Sequence, residues 1–349
     1  MLSFSLTAAS SVIKYPPNSF CKSGFNTRKT IINQVVGYDN VPYQQCRKLE
    51  EDKMKYLVIV NPEAGTKTLD TTLEQVRSAF EAREVIHEVR LTQFPGHAAK
   101  IAAEGLSEGF THMISLGGDG TSSEIVSSIR DTETVFGIIP GGSGNDFPKA
   151  AGIPLDTQAA VDNIFSGRPR KADVAFVDEK CFINGFGVGM DGAVAHDFGE
   201  LGLRRLGSFG YIVGAVIEAF RFQGFVSKVD GEVGTASATG RKLLLFGASN
   251  GPFQGGKFNL APGADIFDGH LDIHIISDMH PIGRLFKIQK VLEGRHEGLR
   301  EVSIVRVKQL RFETFTDLPA HMDGEIFTLR SGKHSIRIGE QRVNIIVPA

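Results

Sequence analysis

Cysteine is scarce in this 349-residue chain, and Cys21, Cys46 and Cys181 are too widely spaced to frame disulfides or a zinc site. That pattern predicts a reducing compartment or no redox constraint. Neither sign of charge is in excess: 38 basic against 40 acidic residues give a net charge of −2. A dedicated nucleic-acid binder, which carries a basic surplus, is excluded on that ground. Long hydrophobic runs are missing too. The longest, at residues 211–220, is interrupted by Glu218 and falls short of the ~20 residues a membrane span requires, so a soluble protein is expected. There is no GxxxxGK[ST] sequence and no GxGxxG after the first apolar run, which excludes a P-loop NTPase and an ordinary dinucleotide enzyme. What remains is the composition of a soluble globular protein, 41% hydrophobic and 22% charged, with length for about two domains.

Acidic residues are also absent from positions 1–38, where Lys14, Lys22, Arg28, Lys29 and six serines occur. An acid-poor, Ser-rich leader has the composition of an organellar transit peptide. Residues 1–53 read also as a disordered extension or as the product of an upstream start, since Met54 directly precedes the first clean strand. These last two readings together outweigh targeting, and no chemistry is assigned to the segment.

From Met54 onward strand and helix patterns alternate. Residues 56–60 (YLVIV) form a continuous apolar run ending at Asn61-Pro62, as a buried parallel strand does. Leu69, Leu73, Val76 and Phe80 make a helical stripe, residues 85–91 alternate as a strand, and residues 96–106 are alanine-rich and helical. Apolar runs at 113–116 and 135–139 flank a helical pattern at 122–129. The alternation predicts a doubly wound α/β domain over 54–172. Short strand-like runs dominate after that, with helical character only near 206–222 and 283–292. A β-rich, sandwich-like second domain over 173–349 is expected.

Three loops carry the chemistry. Gly117-Gly118-Asp119-Gly120-Thr121 follows one expected strand and opens a helix, so its backbone N–H groups and the helix dipole suit an anion. An acidic residue there suits a Mg²⁺ or a reacting hydroxyl beside a phosphate; as an ordinary glycine turn, Asp119 would be a helix cap. Pro140 to Phe147 (PGGSGNDF) follows the next strand, and Asn61 to Thr66 (NPEAGT) follows the first. All three would lie on the carboxyl edge of the sheet, where open α/β folds bind ligands.

GGDGT at 117–121, GGSGNDF at 141–147 and Asp323-Gly324-Glu325 together resemble the diacylglycerol kinase catalytic family, which includes soluble bacterial lipid kinases and sphingosine kinases. The resemblance covers residues 55–348. It implies an α/β nucleotide-binding domain followed by a β-sandwich-like domain, the last segment returning to the first domain, with ATP as donor and Mg²⁺ as cofactor. Asn61, Pro62, Gly65, Thr92, Gly117, Gly118, Asp119, Gly120, Thr121, Ser143 and Asn145 would contact the nucleotide. Ser143 replaces the usual threonine and keeps the hydroxyl, while Pro148-Lys149 replaces an Ala-Arg pair. Asp146 and Asp173 would belong to an acidic network between the domains. The resemblance further implies a structural Mg²⁺ held by the Asp268 side chain and the carbonyls of Asp265 and His270; taken alone, the stretch reads as a hairpin turning at Asp268-Gly269. Glu325 would be the catalytic base, with Asp323 and Asp119 in the metal and water network, and His321 a surface or supporting histidine. Residues 201–225, with Arg204, Arg205 and Arg221 among apolar side chains, read as a lipid-receiving lip or as a helix packed on the sandwich. The expected protein is a cytoplasmic, membrane-peripheral ATP-dependent kinase of a diacylglycerol-like or long-chain-base lipid, with room for a homodimer. An NAD kinase-like enzyme, and a nucleotide- or lipid-binding regulator without transfer activity, stay open as alternatives.

Overall fold

The first strand, β1 (Lys55–Val60), is buried on both faces. Leu57 and Ile59 pack with Ile101 and Ile125 on one side, and Tyr56, Val58 and Val60 with Val76 and Phe80 on the other. A strand between two helical layers has no polar side to show, hence the unbroken apolar run. The computed structural model describes residues 54–64, 69–230 and 242–349, so the expectations for residues 1–53 and Gly65 lie outside the described residues.

The chain continues through α1 (Leu69–Glu81), β2 (Ile86–Leu91), α2 (His97–Ser107), β3 (His112–Gly117), α3 (Asp119–Ile129), β4 (Val135–Pro140), α4 (Asp146–Ala150) and α5 (Thr157–Ser166). The four strands are parallel in the order β2-β1-β3-β4. Winding reverses between β1 and β3, and their carboxyl ends open a crevice at that switch point. This is the expected doubly wound layer.

The second half runs β5 (Arg168–Val177), β6 (Lys180–Phe182), β7 (Gly185–Gly189), α6 (Met190–Glu200), a 3₁₀ turn (Leu203–Leu206), α7 (Ser208–Arg221), β8 (Phe225–Asp230), β9 (Lys242–Ser249), β10 (Phe253–Gln254), β11 (Phe258–Asn259), β12 (Leu271–Ser277), α8 (Pro281–Leu292), β13 (Val302–Val307), β14 (Gln309–Thr314), β15 (Leu318–Met322), β16 (Glu325–Leu329) and β17 (Gly332–Val347). Two antiparallel layers meet through β8, which pairs β14 in one and β9 in the other. Phe182, Phe186, Phe246, Ile273, Phe312 and Ile336 fill the space between them, as in a sandwich.

β17 is a single strand of 16 residues rather than the short run legible at its end. Its last part pairs in parallel with β4 (Asn344↔Val135), its first part runs antiparallel to β14, and β5 runs antiparallel to it from Ile336 to Val347. One strand therefore ties both halves, and the expected boundary at 172/173 falls inside β5. α6 has no sequence signature: MDGAVAHDFGE contains two glycines and no clean stripe. Packing makes it a helix, with Phe198 stacked on Tyr211 of α7 at 3.9 Å. Together α6, α7 and α8 cover the outer face of β9 and β12 through Val194, Ala215, Ile288, Leu244 and Ile276.

Candidate active site

Glycine is required where the two loops touch. A Cβ on Gly142 would stand 2.6 Å from the Gly118 Cα, and one on Gly117 would stand 2.7 Å from the Thr121 hydroxyl. The Gly141 N–H donates to the Gly117 carbonyl at 2.8 Å, locking the loops after β3 and β4 side by side. Asn145, at φ +54°, tolerates the left-handed turn as asparagine does. Its amide braces the second loop by donating to the Gly142 carbonyl at 2.9 Å and accepting the Gly142 N–H at 2.9 Å. At the end of β1, the Asn61 amide donates to the Thr121 hydroxyl at 3.1 Å, which brings the third loop to the same edge.

Asp119 opens α3 but caps α4. Its two oxygens accept the N–H groups of Asp146 and Phe147, each at 3.0 Å. Asp146 is buried, accepts the Gly256 N–H at 3.0 Å and pairs with Lys149 at 3.4 Å. Burial, then the neighbouring Asp119 charge, pushes the Asp146 carboxyl up to about 7. Burial raises Asp119 as well, against the pull of its N–H donors. Lys149 is thus spent on Asp146 and the Gly256 carbonyl.

Asp323 and Gly324 form the two-residue turn of the β15–β16 hairpin, both at positive φ (48° and 86°). Asp-Gly in a primed turn is the strongest local hairpin signal. The buried Asp323 carboxylate accepts four donors: the N–H groups of Ile183, Asn184 and Gly185 at 2.8–2.9 Å and the Ser123 hydroxyl at 2.7 Å. Burial still raises its pKa against those donors. Glu325, by contrast, is exposed on the wall of the cavity.

That cavity, about 400 Å³, begins at Asn61, Gly118–Thr121, Gly142–Gly144 and Asp146, passes Asp323 and Glu325, and ends among Val194, Tyr211, Ala215, Leu244, Ile276 and Ile288. Between its ends lies a polar floor of which sequence reading named only His321. The buried His321 Nε2 is 2.9 Å from Asp191 Oδ2 at the start of α6. Burial alone would lower the His321 pKa, but the Asp191 charge wins and raises it, and Asp191 is lowered in return. His321 is therefore a supporting residue and not a surface one. The signal lay in the strand glycines: a Cβ on Gly187 would fall 1.9 Å from Asp191 Oδ2 and 2.7 Å from His321 Nε2. Gln254 and Asn184 also line this floor, each with a side-chain oxygen lacking a partner among the described residues.

Most of the other sequence candidates stand apart from the cavity. Thr92 is buried beside the end of β1, its N–H on the Val60 carbonyl at 2.8 Å, and it does not line the space; neither does Pro62. Ser143 is exposed on the wall. Asp173 is fully buried under the 261–270 loop, where its carboxylate accepts the Gly269 N–H at 2.6 Å. Asp265, Asp268 and His270 sit on that loop, also off the cavity. In the 201–225 segment, α7 packs against α6 and α8 while Phe209, Val216 and Phe220 form an exposed stripe. Arg221 pairs with Asp197 at 3.4 Å, and the Arg204 side chain lies outside the described residues.

Glycine loops at the carboxyl edge of a doubly wound sheet thus share one cavity with an apolar channel between the outer face of β9 and β12 and the helices that cover it. The comparisons agree. A family model described as diacylglycerol kinase catalytic domain matches residues 55–177, and one described as YegS C-terminal NAD kinase beta sandwich-like domain matches residues 185–343. A Pseudomonas aeruginosa protein named "Probable lipid kinase YegS-like" is 31% identical over 312 residues, covering 85% of this chain and 95% of that protein. A Staphylococcus saprophyticus diacylglycerol kinase is 26% identical over 274 residues, 77% of this chain and 88% of its own. A Bacillus anthracis diacylglycerol kinase structure superposes with a TM-score of 0.64 over 84% of this chain and 96% of its own, at 23% identity, which establishes the shared fold. The chain belongs to the diacylglycerol kinase catalytic-domain family and is a lipid kinase. No helix among the described residues is long and apolar enough to cross a membrane.

Proposed function

We propose that this kinase takes the γ-phosphate of ATP, presented as its Mg²⁺ complex, and transfers it to a hydroxyl of a diacylglycerol-like or long-chain-base lipid. The observation that carries this reading is the continuity of one cavity from the glycine loops to the apolar space under α6, α7 and α8. A phosphate donor and a hydrocarbon chain have places at opposite ends of the same space, with the polar floor of Asp191, His321 and Gln254 between them for the head of the acceptor.

At the donor end, backbone N–H groups at the N-terminus of α3 and along the loops favour phosphate oxygens. Magnesium bound with the nucleotide would supply charge neutralisation at the transferring group. Asp119 acts from behind the loops: by capping α4 it fixes the second loop against the first. Of the two carboxylates on the Asp-Gly-Glu turn, Asp323 is consumed by its four donors and holds the turn in place. Glu325 is the one positioned to take the proton of the acceptor hydroxyl as phosphate transfers.

A peripheral position at a lipid surface is consistent with the outer faces of α7 and α8. Phe209, Val216 and Phe220 on one, and Ile282 and Phe286 on the other, are exposed apolar side chains beside the channel they roof. Apolar residues presented this way on helices enter a membrane interface.

The test is transfer from labelled ATP, with Mg²⁺, to diacylglycerol, phosphatidylglycerol, sphingosine and ceramide in detergent micelles, with NAD as a separate sample. Label in diacylglycerol or sphingosine supports the reading. Label in NAD alone overturns it, and ATP binding with no transfer to any lipid points to a regulator.

A further inference from the structure

The loop between β11 and β12 is where the resemblance implies a structural divalent cation, and the side chains gathered there are already committed. Asp268 Oδ1 accepts the His270 N–H at 2.9 Å, and Oδ2 is taken by the guanidinium of Arg306 from β13. The same arginine lies 3.6 Å from Asp272 Oδ1, so it bridges two carboxylates. Asp265 turns its own oxygen onto the Phe267 N–H at 3.0 Å, an Asx turn, and its carbonyl receives the Asp268 N–H at 3.3 Å. The Asp268 carbonyl lies 2.9 Å from His270 Nδ1. Across the loop, the buried Asp173 is paired with Arg342, the residue opposite it in the β5–β17 register.

A divalent cation needs six or more oxygen ligands, carboxylates among them. Here the one side-chain ligand implied has both oxygens engaged, and no cluster of three acidic, histidine or cysteine side chains able to hold a metal occurs among the described residues. An arginine cannot shed its proton to make way, and its fork matches a carboxylate. The residues present do not fit the ion.

We propose that Arg306 and Arg342 take the place of a structural cation in this chain, holding the 261–270 loop and the start of β12 to β13, β5 and β17 with guanidinium groups. The clamp reaches the catalytic turn through hydrogen bonds. The Asp173 carbonyl accepts from the Asn250 amide at 3.2 Å, that amide also donates to the Ile183 carbonyl at 2.6 Å, and the Ile183 N–H holds Asp323 at 2.8 Å. Divalent metal is then a requirement of the nucleotide alone.

The experiment is thermal unfolding of the full chain without nucleotide, in EDTA and in millimolar MgCl₂. The wild-type midpoint is expected to be the same in both. Arg306→Ala lowers the midpoint by about 2–4 °C, and Mg²⁺ recovers part of that loss because Asp268 and Asp272 are freed. A wild-type midpoint that rises by several degrees in Mg²⁺, with the rise abolished in Asp268→Asn, would overturn the proposal. A rise that survives Asp268→Asn arises from another divalent site in the chain and overturns the claim that metal serves the nucleotide alone. Should Arg306→Ala fail to fold, the wild type and Asp268→Asn decide alone.

Discussion

Asp119 caps a helix that is not its own: from the first turn of α3 it accepts the N–H groups of Asp146 and Phe147 at the start of α4, each at 3.0 Å. The two glycine loops are thereby one unit, with the acidic residue of the first setting the conformation of the second.

Asp119→Ala should therefore affect both stability and catalysis. Loss of the cap costs about 1–2 kcal/mol. Displacing the second loop lowers transfer about 100-fold or more and raises the KM for ATP. Thermal unfolding and steady-state kinetics of the variant check both. Unchanged ATP affinity would separate the aspartate from the donor site.

Gly142→Ala places a methyl group 2.6 Å from the Gly118 Cα. Backbone must move, and the cradle for the phosphates opens, so ATP affinity falls about tenfold or more, which is 1.4 kcal/mol. Gly298→Ala, where a Cβ meets nothing within 4 Å, is the control and leaves affinity intact. Calorimetric titration with ATP distinguishes the two.

The Asp146 carboxyl titrates at 3.8 in its ordinary state and at about 7 in the fold. Between those values the folded chain binds more protons than the unfolded chain, so this group makes stability fall as pH rises from about 4 to about 7. The penalty is absent below that window and complete above it. Asp146→Asn removes this part of the slope. Urea unfolding of both proteins at about pH 5 and about pH 8, without nucleotide, measures it.

Glu325→Gln keeps the shape of the turn and removes the carboxylate proposed as base. It lowers kcat about 100- to 10,000-fold with the KM for ATP unchanged. Full activity in this variant would reassign the proton to another group.

Much of this architecture is legible in the sequence because local signals and tertiary demands coincide. The YLVIV run, the stripe from Leu69 to Phe80 and the glycine loops each encode one element whose chemistry is local. The same is true of Asp323-Gly324, where the turn needs positive φ at both positions. What stayed hidden depends on distant packing. Helix α6 exists because Phe198 meets Tyr211 and Val194 meets Leu244, not because MDGAVAHDFGE favours helix. The Asp191–His321 pair joins residues 130 positions apart, and only the small strand residue Gly187 marks the room it needs. Asp323, expected in a metal and water network, takes its four donors from residues 123 and 183–185, which no spacing announces.

The central claim is that the glycine loops and the apolar channel are two ends of one reaction site, and Ala215→Phe tests it most directly. Ala215 is buried on α7 and lines the channel, so a phenyl ring there fills the acceptor end and leaves the loops untouched. ATP titration and labelled transfer to a long-chain lipid are measured on the same preparation. The account predicts unchanged ATP affinity with lipid phosphorylation reduced about tenfold or more, 1.4 kcal/mol in the barrier. Undiminished phosphorylation of the long-chain lipid in a folded variant that still binds ATP would contradict it.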